Sequence, residues 1–327
     1  MNYRRLGRTG IDISEIAFGG GRSGGILIDA HDDTRRRAVR IALDHGVNWF
    51  DTAPQYGDGK SEEALGWLLE EVEETPYVST KVRIDPTALD DIAGQVERSL
   101  TQSLSLLRRD SVDLVQLHNP VTEDVTARTI TERHVLGPSG AAEGLERLRE
   151  QGLLRFMGLT ALGDNGPTRR VIASGRFDCA QIYYNMLNPS AGRNTMPADW
   201  RGFDATGFMA DCKAQDMGIL AIRIFAASYL ATPVRTGRES ILTSNTDPDS
   251  EARMSDVLFS DLGDELGTRA QIATRFVLSN PDVSSAIIGL SDPAYLHEAM
   301  EGAAQGPLPS QALDRLEALY ESGFNGS

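Results

Sequence analysis

The sequence is poor in several residue types and patterns, and each scarcity excludes a class of protein. Its 327 residues include only 2 cysteines, too few for a disulfide framework, and no Cys/His cluster has the spacing of a metal site. No run of about 18 apolar residues occurs, and no apolar signal-peptide segment follows the N-terminus, so neither membrane insertion nor export is predicted. We therefore expect a cytoplasmic protein without a bound metal.

Positive charge is also scarce. The chain has 32 Lys+Arg against 47 Asp+Glu, a net charge of −15, and 40% of its residues are apolar. Nucleic acids and anionic membranes bind basic surfaces, so neither is predicted as a partner. Lysine occurs only at Lys60, Lys81 and Lys213, and arginine supplies the other 29 basic residues. Either lysine is kept where arginine would not serve, or the ratio reflects codon bias.

Short β-branched runs alternate with segments of helical period almost from end to end, a pattern typical of a parallel sheet. Eight strands are predicted, at Glu15–Gly20, Val47–Asp51, Tyr77–Lys81, Val112–Leu117, Arg155–Thr160, Ala180–Tyr184, Gly218–Ile224 and Ser284–Ile288. Helices are predicted at Thr34–His45, Ser61–Glu71, Ile92–Leu107, Ala141–Gln151, Thr206–Ala214, Leu266–Leu278, Pro293–Ala303 and Gln311–Glu321.

Eight strand-then-helix units favour a (β/α)8 TIM barrel that forms one domain over residues 1–327, with a doubly wound sheet as the alternative. No Gly-x-Gly-x-x-Gly turn follows the first strand, and composition marks no domain boundary, which argues for the barrel. Three long irregular segments follow the fourth, sixth and seventh strands: Asn119–Gly140, Asn188–Phe203 and Ser228–Leu262. In a barrel they form a binding rim on the C-terminal face.

Four titratable side chains stand at or just beyond the ends of three successive strands: Asp51, Tyr56, Lys81 and His118. Because barrel strands converge at their C-terminal ends, we expect these four to be neighbours. Taken singly, each is better explained as a turn residue, a loop tyrosine, a salt bridge or a core histidine. Taken together, they favour a catalytic site.

The residue types indicate the chemistry of that site. A lysine ammonium beside a phenol lowers its pKa from about 10, so Lys81, fixed by Asp51, would tune Tyr56 as a general acid or base. His118 would donate a hydrogen bond to an oxygen that gains negative charge. Arginine would fit poorly in place of Lys81, because its charge is delocalised over a rigid fork. The arrangement suits reversible protonation of a carbonyl or alcohol oxygen.

These residues lie in motifs that resemble the aldo-keto reductase superfamily in order, spacing and strand context: Phe50-Asp51-Thr52-Ala53, Tyr56-Gly57, Ser79-Thr80-Lys81 and Leu117-His118. The resemblance covers nearly the whole chain. It begins with the segment Tyr3–Gly10, which is similar to the family's N-terminal hairpin, and it ends at Ile288-Gly289. It implies a barrel and NAD(P)H dependence, with hydride passing between nicotinamide C4 and the carbonyl carbon of an aldehyde, ketone or sugar. It also implies that Tyr56 is the proton donor, tuned by Lys81 and Asp51, and that His118 orients the substrate.

The resemblance further implies cofactor contacts, at Gly20, Thr160, Gln181, Arg223, Phe225, Ala226, Gly289, Ser291, Tyr295 and Glu298. Thr160 and Gln181 stand where the family binds the carboxamide, although Ala161 replaces an asparagine, and Gln181 is otherwise a barrel side chain that needs a partner. The aromatic residue that many members place after the seventh strand is missing. Ile222, Ile224 or Arg223 would cover the nicotinamide instead, and backbone N–H groups of Phe225 to Ala227 would meet the pyrophosphate.

The segment from Gly289 to Glu298 lacks the Lys or Arg that many NADPH-dependent members use to bind the 2′-phosphate. The resemblance implies NADPH, but without charge-assisted hydrogen bonds from such a group NADH stays open. An arginine from the loop after the seventh strand, Arg235 or Arg238, is an alternative source of that charge.

Two functions remain open. The first is a carbonyl or sugar oxidoreductase. The residues of its predicted rim suit a small hydroxylated or anionic substrate: Arg22, His134, Arg193, Trp200 and Arg201. Taken singly, each of them is better explained as part of a solvated loop surface. The second is a nucleotide-binding regulatory or scaffold protein resembling potassium-channel β-subunits. No partner-binding extension is evident, which favours the enzyme, and oligomeric state has no signature in the sequence.

Overall fold

The computed structural model describes residues 1–22, 24–235, 239 and 247–324. It begins with an antiparallel hairpin of two strands, β1 (Tyr3–Arg5) and β2 (Asp12–Ser14). Eight parallel strands then close into a barrel: β3 (Ile16–Gly19), β4 (Trp49–Asp51), β5 (Tyr77–Val82), β6 (Val112–Leu117), β7 (Leu154–Ala161), β8 (Cys179–Tyr183), β9 (Gly218–Ile222) and β10 (Ser285–Gly289).

Each barrel strand pairs with its neighbours in the chain, and β10 closes the ring on β3 with Gly289 opposite Gly19. The predicted (β/α)8 barrel with an N-terminal hairpin is therefore confirmed, and the doubly wound alternative is excluded. All eight predicted strands are present, with ends displaced by no more than two residues.

The hairpin closes the N-terminal end of the barrel. Leu6 and Ile13 are fully buried against Trp49, Leu114 and other side chains of the barrel interior. Burial of two large aliphatic side chains contributes several kcal/mol, at about 1.5–3 kcal/mol each. The hairpin therefore seals one mouth, and only the C-terminal end of the barrel is open to a ligand.

Helices surround the barrel: α1 (Ile26–Asp29), α2 (Asp32–Asp44), α3 (Lys60–Glu70), α4 (Ile92–Leu107), α5 (Glu132–Leu136), α6 (Ala141–Glu150), α7 (Asn165–Ala173), α8 (Phe208–Ala214), α9 (Pro248–Leu262), α10 (Arg269–Ser279), α11 (Pro293–Ala304) and α12 (Ser310–Glu321). Their apolar faces pack on the outer faces of the strands in one continuous core. In the described ranges, no helix combines the length and apolar character that a membrane span needs.

Several helix predictions were wrong. The predicted irregular loop Ser228–Leu262 contains α9, which Asp247 caps by accepting a hydrogen bond from the Ser250 N–H, with proline at its first turn. The loop Asn119–Gly140 contains α5, and α7 was not predicted. Helix α10 begins at Arg269, three residues later than predicted, because the Thr268 hydroxyl caps it.

Candidate active site

Three adjacent strand ends bring the four candidate side chains together. Asp51 is the last residue of β4, Lys81 lies near the end of β5, and His118 directly follows β6. Tyr56 lies in the loop between β4 and α3, with its ring centre 4.8 Å from Lys81 Nζ and 5.9 Å, edge to face, from the His118 ring. The parallel register places these groups at the open mouth of the barrel, as the sequence predicted.

Asp51 and Lys81 form an ion pair inside the barrel. Lys81 is fully buried, and its Nζ donates to Asp51 Oδ2 at 2.6 Å and to the Thr52 carbonyl at 2.8 Å. The other carboxylate oxygen, Oδ1, accepts from three buried side chains: Ser79 at 2.7 Å, Gln181 at 2.6 Å and Gln116 at 3.2 Å. Both carboxylate oxygens of Asp51 therefore accept hydrogen bonds, which fix the position of the side chain.

The electrostatics keep Lys81 charged. Burial lowers the pKa of the Lys81 ammonium, but the neighbouring Asp51 and Tyr56 together raise it by more than burial lowers it. The pKa of Lys81 therefore lies above its ordinary value. The Lys81 side chain therefore carries a permanent positive charge next to the Tyr56 ring.

The predicted net effect on Tyr56 was wrong in direction. Burial raises the pKa of the Tyr56 phenol and Asp51 adds to this rise, whereas Lys81 lowers the pKa only in part. The physical reason is that burial, the largest of these effects, disfavours the charged phenolate by more than Lys81 favours it. The phenol is protonated at neutral pH, which suits a proton donor.

His118 is a neutral imidazole. Burial, together with the positive charges of Lys81 and Arg83, lowers its pKa to about 3. Its Nδ1 lies 2.9 Å from Gln55 Oε1, so Gln55 occupies one ring nitrogen and the other is left for a ligand. A neutral imidazole has one N–H, so the group facing Nδ1 decides whether Nε2 donates or accepts.

Sequence reasoning missed Gln55, Ser79 and Gln116. Ser79 and Gln116 stand two positions before Lys81 and His118, and the two-residue period of a strand places them on the same inward face. That signal was available. Gln55 lies in an irregular loop, where no periodicity indicates the direction of a side chain.

The positions implied for the nicotinamide carboxamide lie side by side on β7 and β8, where Thr160 pairs with Gln181. The Thr160 hydroxyl is buried and, within the described part of the chain, has no hydrogen-bond partner. The amide nitrogen of Gln181 instead donates to Asp51, which is the partner that the alternative explanation required. An unpartnered hydroxyl next to the mouth fits a group that brings its own donor or acceptor.

The loop after β9 holds a strained backbone. Four residues other than glycine have positive φ: Arg223 at 56°, Ala226 at 44°, Ala227 at 54° and Ser228 at 86°. Each such residue costs about 1–3 kcal/mol, and clusters of them occur at ligand sites. The sequence predicted that the Ala226 N–H meets a pyrophosphate. In the structure this N–H instead donates to the Arg223 carbonyl at 2.8 Å, so it is not free to do so. The Arg223 guanidinium lies 5.9 Å from the Tyr183 ring centre.

The segment implied for the adenosine lies on the surface. Gly289, Ser291 and Tyr295 are exposed, and Glu298 accepts a hydrogen bond from the Thr268 hydroxyl at 2.6 Å. Arg235 stacks on Tyr229, and Arg238 lies outside the described residues.

At the end of β3, which pairs with β10, Gly20 donates its N–H to the Asp51 carbonyl. A Cβ at Gly20 would approach Ser61 Oγ to 2.6 Å, so the strand end tolerates only glycine.

The predicted rim residues divide into two groups. His134 completes the capping box of α5, and Arg193 forms an ion pair with Glu317 of α12, so both have structural partners. Trp200 and Arg201 line a cavity, and Arg22 is exposed.

Comparison with known proteins places the chain in a family. The family model described as "Aldo/keto reductase family" matches residues 15–321. The chain belongs to the aldo/keto reductase family. Among solved structures, the holo form of aldo-keto reductase AKR11C1 from Bacillus halodurans has a TM-score of 0.72 at 19% identity, over 98% of this chain and 96% of that one. At this identity the likeness shows a shared fold.

Relatives of this aldo/keto reductase carry different names. L-galactose dehydrogenase of Arabidopsis thaliana is 24% identical over 98% of this chain and 95% of its own length. D-threo-aldose 1-dehydrogenase of Pseudomonas sp is 25% identical over 90% and 91%. A probable voltage-gated potassium channel subunit beta of Arabidopsis thaliana is 24% identical over 98% and 97%. Both functions considered for this chain therefore occur among its relatives.

Proposed function

We propose that this aldo/keto reductase is a nicotinamide-dependent oxidoreductase that interconverts an aldehyde, ketone or sugar carbonyl with the corresponding alcohol. The observation that carries the proposal is the Tyr56 ring at the barrel mouth, with its centre 4.8 Å from Nζ of the buried Lys81, which is paired with Asp51. Dehydrogenases that act on sugars are among the relatives, which supports the same substrate class.

The residues around the mouth fit the cofactor that the family implies. The Thr160 hydroxyl is available to the carboxamide, and the strained loop from Arg223 to Ser228 follows β9 at the same mouth, where backbone N–H groups other than that of Ala226 would meet a pyrophosphate. When bound, the nicotinamide supplies or accepts the hydride at the carbonyl carbon. The segment from Gly289 to Glu298 would hold the adenosine.

Tyr56 moves the proton. In the direction of reduction its Oη donates to the carbonyl oxygen, and in the direction of oxidation the phenolate takes the proton back. The Lys81 ammonium, 4.8 Å from the ring centre, stabilises the phenolate that forms. Asp51 fixes Lys81, and its saturated hydrogen bonds keep the pair from moving during the reaction.

His118 orients the carbonyl. Because its pKa is about 3, it is neutral and does not compete with Tyr56 for the proton. It donates from Nε2 when the Gln55 amide turns over, so that its NH₂ faces Nδ1 in place of the Oε1 at 2.9 Å. The Tyr56 and His118 rings meet at 86° with their centres 5.9 Å apart, so the two side chains are close enough to bind the same carbonyl oxygen.

The experiment is a Tyr56→Phe substitution, assayed by absorbance of the nicotinamide band with a panel of aldoses and aldehydes and with both NADH and NADPH. Removal of the proton donor lowers kcat by about 10²- to 10⁴-fold. Tyr77→Phe is the matched control, because Tyr77 lies on β5 beside Trp49 at the sealed end of the barrel and should keep full activity.

A regulatory or scaffold protein is the second candidate, favoured by the full-length match to potassium-channel β-subunits. It predicts that wild type and Tyr56→Phe bind nicotinamide nucleotide equally and that both are inert across the panel. That result would overturn the enzyme proposal.

A further inference from the structure

A cavity of about 130 Å³ lies beside the barrel mouth. It is bounded by the loop after β8, by α9 and by the chain end after α12, none of which carries the four catalytic candidates. Aromatic side chains form much of its wall: Tyr183, Trp200, Phe203, Tyr320 and Phe324.

Two polar atoms of this wall lack partners. Trp200 Nε1 and Tyr320 Oη are buried, and neither has a hydrogen-bond partner among the residues that the structure describes. Tyr320 is only 1% exposed. A buried donor without a partner costs about 1–3 kcal/mol, so two of them around one cavity require an explanation.

The cavity adjoins the candidate active site through β8. Gln181 points into the barrel, where it donates to Asp51, and Tyr183 is the next residue of β8 on the same face. Two residues of a strand span about 6.6 Å. Tyr183, which lines the cavity, therefore lies about that distance beyond Gln181 in the direction of the barrel mouth. A substrate whose carbonyl meets Tyr56 would extend toward this cavity.

The wall specifies the chemistry of an occupant. An indole N–H can only donate, so the occupant must present an acceptor oxygen. The charged residues of the wall are Asp199, Arg201 and Glu251, one cation against two anions, which disfavours a carboxylate or phosphate. At about 30 Å³ per water molecule, the volume corresponds to about four waters, which suits a few hydroxyl-bearing carbons and excludes a nucleotide.

We infer that this cavity binds the neutral, hydroxylated end of a sugar substrate through Trp200 Nε1 and Tyr320 Oη, an inference that rests on the proposed function for the identity of its occupant. The two donors give the enzyme a preference for hydroxylated aldehydes over alkyl aldehydes of the same length. Trp200 and Tyr320 are specificity-determining residues and take no part in proton or hydride transfer.

The binding test uses ¹⁵N-indole NMR on the full chain, which has 3 tryptophans. Trp200 reports on the cavity, Trp49 donates to Ser79 next to Asp51 and reports on the catalytic network, and Trp67 stacks with Arg36 on the surface. Titration with xylitol, a neutral polyol that cannot be reduced, should shift the Trp200 resonance saturably and leave Trp67 unmoved. Gluconate and 1-butanol should not produce this shift.

Tyr320→Phe should weaken xylitol binding by about two- to tenfold, the value of one hydrogen bond. This variant should fold, because it removes a buried hydroxyl that has no partner. Tyr77→Phe is the matched control and should bind xylitol as wild type does. An unmoved Trp200 resonance up to the solubility limit of xylitol means that the cavity holds only water, and it overturns the inference whether or not the protein is an enzyme.

The kinetic test compares D-erythrose with butanal, two four-carbon aldehydes. Tyr320→Phe and Trp200→Phe should raise KM for D-erythrose by about two- to tenfold and leave kcat and the KM for butanal unchanged. Equal effects on both aldehydes contradict the inference while the proposed function stands. Absence of turnover contradicts the proposed function, and the NMR titration still decides whether the cavity binds a polyol.

Discussion

The buried ion pair of Asp51 and Lys81 links the proposed catalytic site to the stability of the fold. Neither charge reaches water, so removing one partner leaves the other uncompensated at a cost of about 3–5 kcal/mol. We expect Lys81→Met to lower the free energy of unfolding by about 3 kcal/mol, because Ser79, Gln116 and Gln181 still donate to Asp51. Urea denaturation at neutral pH measures the loss.

The double variant Lys81→Met with Asp51→Asn is the control for this prediction. It removes both charges and should recover part of the lost stability, although both variants lose turnover. A single variant as stable as wild type would show that the ion pair contributes nothing to folding.

The contact between Gln55 and His118 decides which imidazole nitrogen carries the proton. Gln55 Oε1 lies 2.9 Å from Nδ1, so for Nε2 to donate to a carbonyl oxygen the amide must turn over and present its NH₂ to Nδ1. Gln55→Glu can present only an acceptor to Nδ1 and adds a negative charge, which keeps the proton on that nitrogen and raises the His118 pKa from about 3. We expect a lower kcat and a new acidic limb in the pH profile of kcat/KM.

Gln55→Met separates this effect from simple loss of a contact. It removes the hydrogen bond without adding charge, so it should reduce kcat without introducing the acidic limb. Identical pH profiles for the two variants would contradict the assignment of Gln55 as the residue that selects the tautomer.

Among the elements, the first turn of α3 ties three strand ends together. Ser61 Oγ donates to the Gly20 carbonyl after β3 at 3.0 Å and lies 2.8 Å from Thr52 Oγ1 after β4. Glu62 is fully buried and accepts a hydrogen bond from Thr80 of β5 at 2.5 Å. These contacts hold the backbone that positions Lys81, whose Nζ donates to the Thr52 carbonyl.

Glu62 makes this turn sensitive to pH. Burial raises the pKa of its carboxyl above the ordinary value of 4.5, and Thr80 lowers it only in part. The folded state therefore holds a proton that the unfolded state releases, so Glu62 costs stability as the pH rises above about 4.5. Glu62→Gln keeps the acceptor for Thr80 and removes the titration.

We expect Glu62→Gln to gain stability relative to wild type as the pH is raised from 5 to 8, measured by urea denaturation at both values. Glu63→Gln, on the exposed face of the same turn, should show no such change. A constant difference between Glu62→Gln and wild type across this range would contradict a buried, pKa-raised carboxyl.

At this scale the sequence predicted strands better than helices. Buried parallel strands are short apolar runs, which composition alone reveals, and all eight were found. Helix α9 was missed because residues 243–250 are polar apart from one proline, although Asp247 followed by Pro248 is a typical helix start. The Tyr56 pKa could not be predicted, because burial is a property of the folded barrel and has no local signal.

The architecture of the whole barrel explains why the proximity of the candidate residues was predictable. Asp51, Lys81 and His118 are up to 67 residues apart, and only the closed ring of parallel strands makes them neighbours. The rim could not be predicted in the same way, because its loops follow no period. Arg193 and His134 proved to have structural partners, whereas Trp200 lines a cavity.

The net charge of −15 acts on the molecule as a whole and bears on the choice of cofactor. A 2′-phosphate adds nearly two negative charges, and residues 289–298 contain no lysine or arginine to pair with it. We expect NADPH to bind less than about a hundredfold more tightly than NADH, which corresponds to less than about 2.7 kcal/mol. Fluorescence titration of the full chain with each nucleotide measures the ratio.

The salt dependence of binding distinguishes long-range repulsion from a local cationic clamp. Between about 0.01 M and 0.15 M salt the Debye length falls from about 30 Å to about 8 Å, which screens the repulsion between an acidic protein and an anionic ligand. The Kd of NADPH should therefore decrease severalfold as salt is added, and that of NADH should decrease less, because it has fewer charges. If added salt instead weakens NADPH binding, an arginine pairs with the 2′-phosphate, and the site is specific for NADPH despite the acidity of the chain.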